Sequence, residues 1–300
     1  MKNLREHLID PQSPDRKPRR AAYALPTFFT AGNVFLGFFA IMESFRGAMD
    51  HAAGGASASE HFAAAAQAVG WAVGLDGLDG RIARMTNTVS DFGREMDSMA
   101  DVVTFGIAPA VMAFAWGMQF TSAPPAPFTI EQLKGAGYLL SFLYLLCGAM
   151  RLARFNISIN PVPKNPGRPG RKYFIGLAIP AAAAVVASII FAAGSTPLTS
   201  WQFSVAWLAL LALLSFLMVS TWRYPSFKDI SLLRPQSRFT LVIAAVLIYL
   251  IWAMPRPVLL AIALAYVLSG ILIRVGGLLK RRWRGQSTPT DQPRPEAQLG

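Results

Sequence analysis

Long apolar segments alternate with short polar segments along most of this chain. Eight apolar segments come close to the roughly 20 residues that a helix needs to cross a bilayer. They cover residues 25–46, 58–75, 98–118, 136–153, 173–193, 201–221, 239–254 and 257–279. The pattern predicts an all-α integral membrane protein with about eight transmembrane helices.

The polar ends of the chain predict a simple domain organisation. Residues 1–22 are polar and basic, which predicts a cytoplasmic basic arm. Residues 285–300 are rich in Gln, Pro and Thr, a composition typical of a disordered tail. The segment 23–284 between them is the predicted transmembrane domain.

Composition and charge support this prediction and give it an orientation. Hydrophobic residues make up 53% of the chain and charged residues only 15%, whereas soluble domains carry roughly 25% charged residues. The net charge is +12, and all 28 Lys and Arg residues except Arg46, Lys134 and Arg256 fall on the side of the membrane that holds the N-terminus. The positive-inside rule places both termini in the cytoplasm. The expected partners of this charge are anionic membrane lipids, not nucleic acid.

Cysteine and histidine are scarce, and this limits the possible chemistry. Cys147 is the only cysteine, which excludes an internal disulfide and a cysteine-based metal site. His7 lies in the predicted arm, and His51 and His61 fall on the outer side of the membrane. Histidine is therefore not the expected general base of a reaction on the cytoplasmic side.

Four carboxylates stand close together at the predicted cytoplasmic ends of the second and third spans. Asp76 and Asp79 are three residues apart and Asp97 and Asp101 are four apart, so each pair shares one face of a helix. If segment 84–93 turns the chain back, the two pairs face each other across a helical hairpin. Crowded carboxylates at a membrane require cations to neutralise them. Ligands that are all oxygen favour magnesium, manganese or calcium over zinc, so the pattern predicts a centre for one or two divalent ions.

Small and basic residues flank the carboxylates. Gly80 and Ala83 leave room beside them, and Gly93 permits the close approach of a substrate or of another helix. Arg84 lies one helical turn beyond Gly80 and can pair with a phosphate. Metal ions, an arginine and a bare helix face together predict a pyrophosphate site at which one of the carboxylates acts as the base.

The order and spacing of these residues resemble the signature of the CDP-alcohol phosphatidyltransferases. The matching residues are Asp76-x-x-Asp79-Gly80-x-x-Ala83-Arg84 and, eight residues later, Gly93-x-x-x-Asp97-x-x-x-Asp101. The resemblance extends over about residues 25–230. Segments 90–110, 151–156, 173–180 and 217–228 resemble the branch of this family that uses serine as the acceptor, although Met99 and Thr104 stand where leucine and serine are common.

The resemblance implies a fold, a reaction and a set of partners. It implies a six-helix catalytic core, a homodimer and an active site on the cytoplasmic side. The implied substrates are CDP-diacylglycerol and L-serine, the products are phosphatidylserine and CMP, and the implied cofactor is magnesium or manganese, which calcium can replace in a crystal. It also implies that Asp76, Asp79 and Asp97 hold the metal and that Asp101 serves as both ligand and catalytic base.

The resemblance further implies which residues bind the liponucleotide. These are Asp79, Gly80, Ala83, Arg84, Gly93 and Asn33. Asn33 lies in the pattern Thr30-Ala-Gly-Asn33-x-x-x-Gly37 of the first span, where a hydrogen bond between helices is an equally good interpretation.

Serine carries a carboxylate, so a cation is expected in its pocket. Arg151, Arg154, Arg223 and Lys172 all lie at cytoplasmic ends of spans, where each can instead serve membrane topology. The residues predicted to bind serine are Arg151, Arg154 and Asn156.

Three alternatives remain open at this point. A related family member with glycerol phosphate, inositol phosphate or choline as acceptor would carry the same signature, but a phosphorylated acceptor requires more basic residues. A cation transporter would need acids near the membrane midplane and inverted repeats, whereas these acids cluster at one edge and no repeat is evident. A catalytically inactive scaffold would not need the intact signature.

Overall fold

The computed structural model describes residues 20–86, 91–157, 173–225 and 238–284. The predicted arm before residue 20, the predicted tail over 285–300 and the side chains of 79–86 lie outside this description. In chain order the elements are α1 (Arg20–Ala52), α2 (Ala58–Thr86), α3 (Asp91–Asp101), a π-helical segment (Val102–Ile107), α4 (Ala108–Gly117), α5 (Ile130–Ile157), β1 (Tyr173–Ile175), α6 (Ile179–Ala192), α7 (Trp201–Val219), β2 (Arg223–Pro225), α8 (Arg238–Ala253) and α9 (Pro255–Arg284).

The prediction of an all-α integral membrane protein is confirmed. Within the described residues, five helical stretches are long and apolar enough to cross a membrane, namely Phe28–Ala52, Glu95–Gly117, Ile130–Asn156, Trp201–Val219 and Pro255–Arg274. α6 is also apolar but shorter. Each of the eight predicted spans is largely helical.

The fifth predicted span begins too early. Residues Tyr173–Ile175 form a short strand that pairs antiparallel with Arg223–Pro225, and helix α6 begins only at Ile179. Gly176 separates the strand from the helix with φ of +77°, and a β-carbon there would lie 2.6 Å from the carbonyl oxygen of Met218. Glycine alone combines that left-handed backbone with so close an approach, so the chain turns at this point instead of continuing as helix.

The third predicted span is not a uniform α-helix. The π-helical segment follows Asp101 directly, and at its end the Ala108 amide donates to the carbonyl oxygen of Val103, five residues earlier. Two neighbouring helices hold this segment. Its Thr104 hydroxyl donates to the carbonyl oxygen of Asn33 on α1 at 2.9 Å, and Tyr144 of α5 donates its hydroxyl to the carbonyl oxygen of Phe105 at 3.2 Å.

The core lies between the helices and relies on close approach at small residues. Trp207 of α7 donates its indole N–H to the carbonyl oxygen of Ala113 at 3.0 Å, and Ser204 donates to that of Gly117 at 2.8 Å. A β-carbon at Gly117 would overlap the Trp207 ring. Small residues at such crossings let helix backbones approach and exchange hydrogen bonds in lipid.

A charged cluster around the buried Glu43 joins α1 to α2 at the end of α1 far from Asn33. Glu43 accepts a hydrogen bond from Arg46 Nη1 at 2.7 Å, and its second carboxylate oxygen lies 2.7 Å from His61 Nδ1. Because a buried carboxylate is costly without such partners, this cluster fixes the two helices against each other.

Candidate metal centre

Three of the four predicted aspartates converge at one end of the helix bundle. One carboxylate oxygen of each of Asp76, Asp97 and Asp101 lies within 4.8 Å of the others. α2 does not end at residue 75, where the predicted span stops, but continues to Thr86, and α3 begins at Asp91. The two helices therefore present their acids to each other, as the hairpin interpretation requires. The side chain of Asp79 lies outside the described residues.

The separation of these oxygens fits a divalent cation. Magnesium binds oxygen at about 2.0–2.1 Å and calcium at about 2.3–2.6 Å, so oxygens on one ion stand at most about 4–5 Å apart. Three carboxylates within 4.8 Å can therefore share one ion. A set of oxygen ligands alone suits a hard cation better than zinc.

The three carboxylates differ in how far they are exposed to water. Asp101 is 9% exposed and closes the last turn of α3, whereas Asp76 and Asp97 are half-buried. The π-helical segment that follows Asp101 is anchored by Asn33 and Tyr144. The carboxylate of Asp101 is thus the least exposed of the three and lies directly before a backbone segment that two other helices anchor.

Asn33 lies beside this anchored segment. Its side chain is 3% exposed, and its Oδ1 is buried with no hydrogen-bond partner among the described residues. Because a buried polar atom without a partner is costly, Oδ1 is suited to receive a ligand donor. The backbone carbonyl of Asn33, and not its side-chain Oδ1, accepts the hydrogen bond between helices, from Thr104.

The remaining predicted liponucleotide residues lie around the acids in sequence. Gly93 is exposed and stands one helical turn before Asp97. Gly80, Ala83 and Arg84 belong to the last turns of α2, but their side chains are outside the described residues. The same holds for Lys172 and for the side chain of Arg223.

The three residues predicted to bind serine occupy different environments. Arg154 donates from Nη1 to the carbonyl oxygen of Val219, at the end of α7, at 3.0 Å. Asn156 donates to the hydroxyl of Ser98 at 2.9 Å, next to Asp97. Arg151 is half-buried and lies within electrostatic range of Asp101, Arg154 and the phenol of Tyr266.

Tyr266 is a neighbour of this site that the sequence did not reveal. It lies on α9, and its ring centroid is 5.7 Å from that of Tyr224 on β2. Burial, together with the proximity of Tyr266, raises the pKa of Tyr224 to about 12. No short motif marks either tyrosine, because their packing on each other depends on how the last helix folds back onto the β1–β2 hairpin.

These features define a class of protein: a multi-helix membrane protein with a cluster of carboxylates that its helices bring together. The chain belongs to a known family within that class, since the family described as CDP-alcohol phosphatidyltransferase matches residues 23–215.

Individual members of this family are also similar to the chain. The chain is 36% identical over 214 residues to a CDP-diacylglycerol–serine O-phosphatidyltransferase of Helicobacter pylori, covering 71% of this chain and 76% of that protein. It is 33% identical over 203 residues to a protein of the same description from Methanocaldococcus jannaschii, covering 68% and 80%. It is also 29% identical over 204 residues to an archaetidylserine synthase of Methanothermobacter thermautotrophicus, covering 67% and 70%.

Proposed function

We propose that this protein transfers the phosphatidyl group of CDP-diacylglycerol to the hydroxyl of L-serine, giving phosphatidylserine and CMP. The observation that carries the proposal is the convergence of Asp76, Asp97 and Asp101 oxygens within 4.8 Å, in the signature of the family to which the chain belongs. Serine as the acceptor is supported by the relatives named above, two of which are described as CDP-diacylglycerol–serine O-phosphatidyltransferases and one as an archaetidylserine synthase.

Asp76, Asp79, Asp97 and Asp101 would hold the metal, magnesium or manganese. When bound, the ion would supply positive charge that neutralises the diphosphate and the carboxylates around it. Arg84 would pair with a phosphate of the liponucleotide, and Gly80, Ala83, Gly93 and Asn33 would lie against its CDP part.

The reaction needs one bond to form, one to break and one proton to move. The serine oxygen bonds to the phosphorus that carries diacylglycerol, while the bond from that phosphorus to the bridging oxygen breaks. CMP leaves with the bridging oxygen. The serine hydroxyl proton passes to a carboxylate oxygen of Asp101, whose low exposure shields it from bulk water.

The proposed topology places this chemistry at the cytoplasmic surface, with the acyl chains of the substrate in the surrounding lipid. The proposed assembly is a homodimer. Cysteine labelling from either side of sealed vesicles, with Cys147 replaced and single cysteines introduced in the arm or in the loop before Ala58, tests the orientation.

The experiment that tests the reaction supplies purified protein with CDP-diacylglycerol in mixed micelles and one labelled acceptor at a time. The acceptors are serine, glycerol phosphate, inositol phosphate and choline, each with magnesium, with manganese and with a chelator. We expect CMP and phosphatidylserine with serine alone, and loss of both with the chelator. Product formation with another acceptor in preference to serine would overturn the assignment of serine as the acceptor. CMP release that the chelator does not affect would show that the reaction needs no metal ion.

A further inference from the structure

A hydrogen bond between two side chains links the helix of Asp97 and Asp101 to the last turn of α5. Asn156 donates from Nδ2 to the hydroxyl oxygen of Ser98 on α3 at 2.9 Å, and both side chains are half-buried. Ser98 directly follows Asp97 and lies three residues before Asp101, so it shares a helix face with Asp101. The bond therefore places the Asn156 amide beside the aspartate cluster.

The position of α5 along this part of the chain does not depend on that bond alone. Tyr144 of α5 is fully buried and donates its hydroxyl to the carbonyl oxygen of Phe105, in the π-helical segment that continues α3. Loss of the Ser98 hydroxyl would therefore release the Asn156 amide while Tyr144 still holds the two elements together.

The bond to Ser98 decides which end of the Asn156 amide is available to a ligand. A carboxamide has an oxygen that accepts hydrogen bonds and an NH2 group that donates them. Nδ2 is used on Ser98, and the Asn156 side chain makes no other hydrogen bond among the described residues. Asn156 therefore retains Oδ1 as an acceptor for a donor group beside the aspartates.

The proposed acceptor, serine, carries such a donor group. Its hydroxyl must meet the base Asp101, and its carboxylate suits a guanidinium such as that of Arg151. Its ammonium group needs an oxygen acceptor, but a metal ion held by the aspartates would repel a second cation close to it. The uncharged Oδ1 of Asn156, on a different helix from the aspartates, meets this need.

We propose that Asn156 Oδ1 binds the ammonium group of serine and that Ser98 is the positioning residue that holds Asn156 in this orientation. This inference rests on the proposed function, since it concerns how serine is recognised. A hydrogen bond from a charged donor is stronger than one between neutral groups, and an amide that is already oriented loses less side-chain freedom on binding. The arrangement also selects against choline, whose quaternary nitrogen has no N–H, and against glycerol phosphate and inositol phosphate, which have no ammonium group.

The first test uses two compounds that each lack one group of serine. Hydroxypropanoate with its hydroxyl on the terminal carbon is serine without the ammonium group, and ethanolamine is serine without the carboxylate. Both are measured as competitors of serine in wild type and in Asn156→Ala. Loss of a hydrogen bond to a charged group predicts that Asn156→Ala raises the KM for serine and the inhibition constant of ethanolamine by about tenfold, and that of hydroxypropanoate by less than about twofold.

The second test addresses Ser98. Ser98→Ala is expected to raise the KM for serine by about threefold to tenfold, with kcat and the KM for CDP-diacylglycerol within about twofold. Ser98→Thr keeps the hydroxyl and is expected to restore the KM for serine. In an Asn156→Ala background Ser98→Ala should add nothing further, because the group that it orients is absent.

Ser200→Ala is the matched control for Ser98→Ala. The Ser200 hydroxyl also bonds to a side-chain amide, that of Gln202. It lies directly before α7, whose other end, at Val219, is the one that contacts α5. The variant is expected to keep the KM for serine of wild type.

The outcomes separate this inference from the proposed function. If wild type forms no phosphatidylserine, the proposed function itself is wrong. If wild type is active but Asn156→Ala weakens hydroxypropanoate as much as serine, Asn156 does not bind the ammonium group. If Ser98→Ala and Asn156→Ala act additively, or if Ser98→Thr behaves like Ser98→Ala, Ser98 does not position Asn156.

Discussion

Gly37 of α1 lies directly against Thr104 of the π-helical segment. A β-carbon at Gly37 would stand 2.7 Å from both Cα and Oγ1 of Thr104, closer than carbon and oxygen atoms can approach without displacement. The same threonine donates to the carbonyl oxygen of Asn33. The missing side chain of Gly37 thus permits the contact that holds the backbone directly after Asp101.

Gly37→Ala is therefore expected to push α1 away from the segment that follows Asp101. Overpacking of this kind costs about 1–3 kcal/mol of stability, and displacement of Asp101 lowers kcat. The matched control is Gly32→Ala, because a β-carbon at Gly32 meets nothing within 4 Å. Thermal unfolding and CMP release of the two variants provide the measurement. Equal behaviour of both would show that the contact does not position Asp101.

The aspartate cluster predicts an unusual separation of activity from stability. Asp97→Asn removes one charge from three converging carboxylates, so the protein without metal is expected to be at least as stable as wild type because repulsion falls. Loss of a metal ligand is expected to lower CMP release by at least about 100-fold. Manganese binding, followed by electron paramagnetic resonance, should weaken in parallel.

The control for that change is Glu60→Gln, which removes a carboxylate from the opposite end of α2. It is expected to leave both manganese binding and turnover unchanged. If the Asp97→Asn protein binds manganese and releases CMP as wild type does, Asp97 is not a metal ligand.

The helical fold and the aspartate cluster were predictable because each depends on local sequence. Runs of apolar residues determine spans, and Asp76, Asp97 and Asp101 need only helical spacing and a turn between two helices to meet. The convergence was thus foreseeable from residues only 25 positions apart.

Other features depend on contacts between distant elements and left no local signal. The hairpin of Tyr173–Ile175 and Arg223–Pro225 interrupts an apolar segment of the sequence, because pairing with a strand about 50 residues later outweighs local helix preference. The π-helical segment after Asp101 is held by a carbonyl oxygen of α1, which accepts from Thr104, and by a hydroxyl of α5, which donates to Phe105. The packing of the Tyr266 ring on Tyr224 likewise requires the packing of α9 on β2.

The two arginines of α5, which the sequence treats alike, are expected to respond differently to substitution. Arg151→Ala should raise the KM for serine, whereas Arg154→Ala should act mainly on stability. Loss of the exposed hydrogen bond from Arg154 to the carbonyl oxygen of Val219 is expected to cost about 0.5–1.5 kcal/mol. Steady-state kinetics with either substrate varied, combined with thermal unfolding, separates the two effects. An unchanged unfolding temperature in Arg154→Ala, together with a raised KM for serine, would reverse the assignment.

Tyr224 predicts a dependence of stability on alkaline pH. Its hydroxyl is buried with no hydrogen-bond partner among the described residues, and burial raises its pKa from 10.0 to about 12. Between these values the unfolded chain releases the phenolic proton more readily than the folded protein does, so stability present below pH 10 falls as the pH rises towards 12.

Tyr224→Phe removes this contribution, and the loss of stability across that pH range should be smaller than in wild type. Denaturation midpoints on both sides of pH 10 measure the difference, with Tyr249→Phe as the control for removal of a hydroxyl from an exposed ring. Because Tyr224→Phe keeps the aromatic ring that packs on Gly270, the variant should stay folded at neutral pH. A pH dependence identical to that of wild type would show that the Tyr224 phenol ionises as readily in the folded protein as in the unfolded chain.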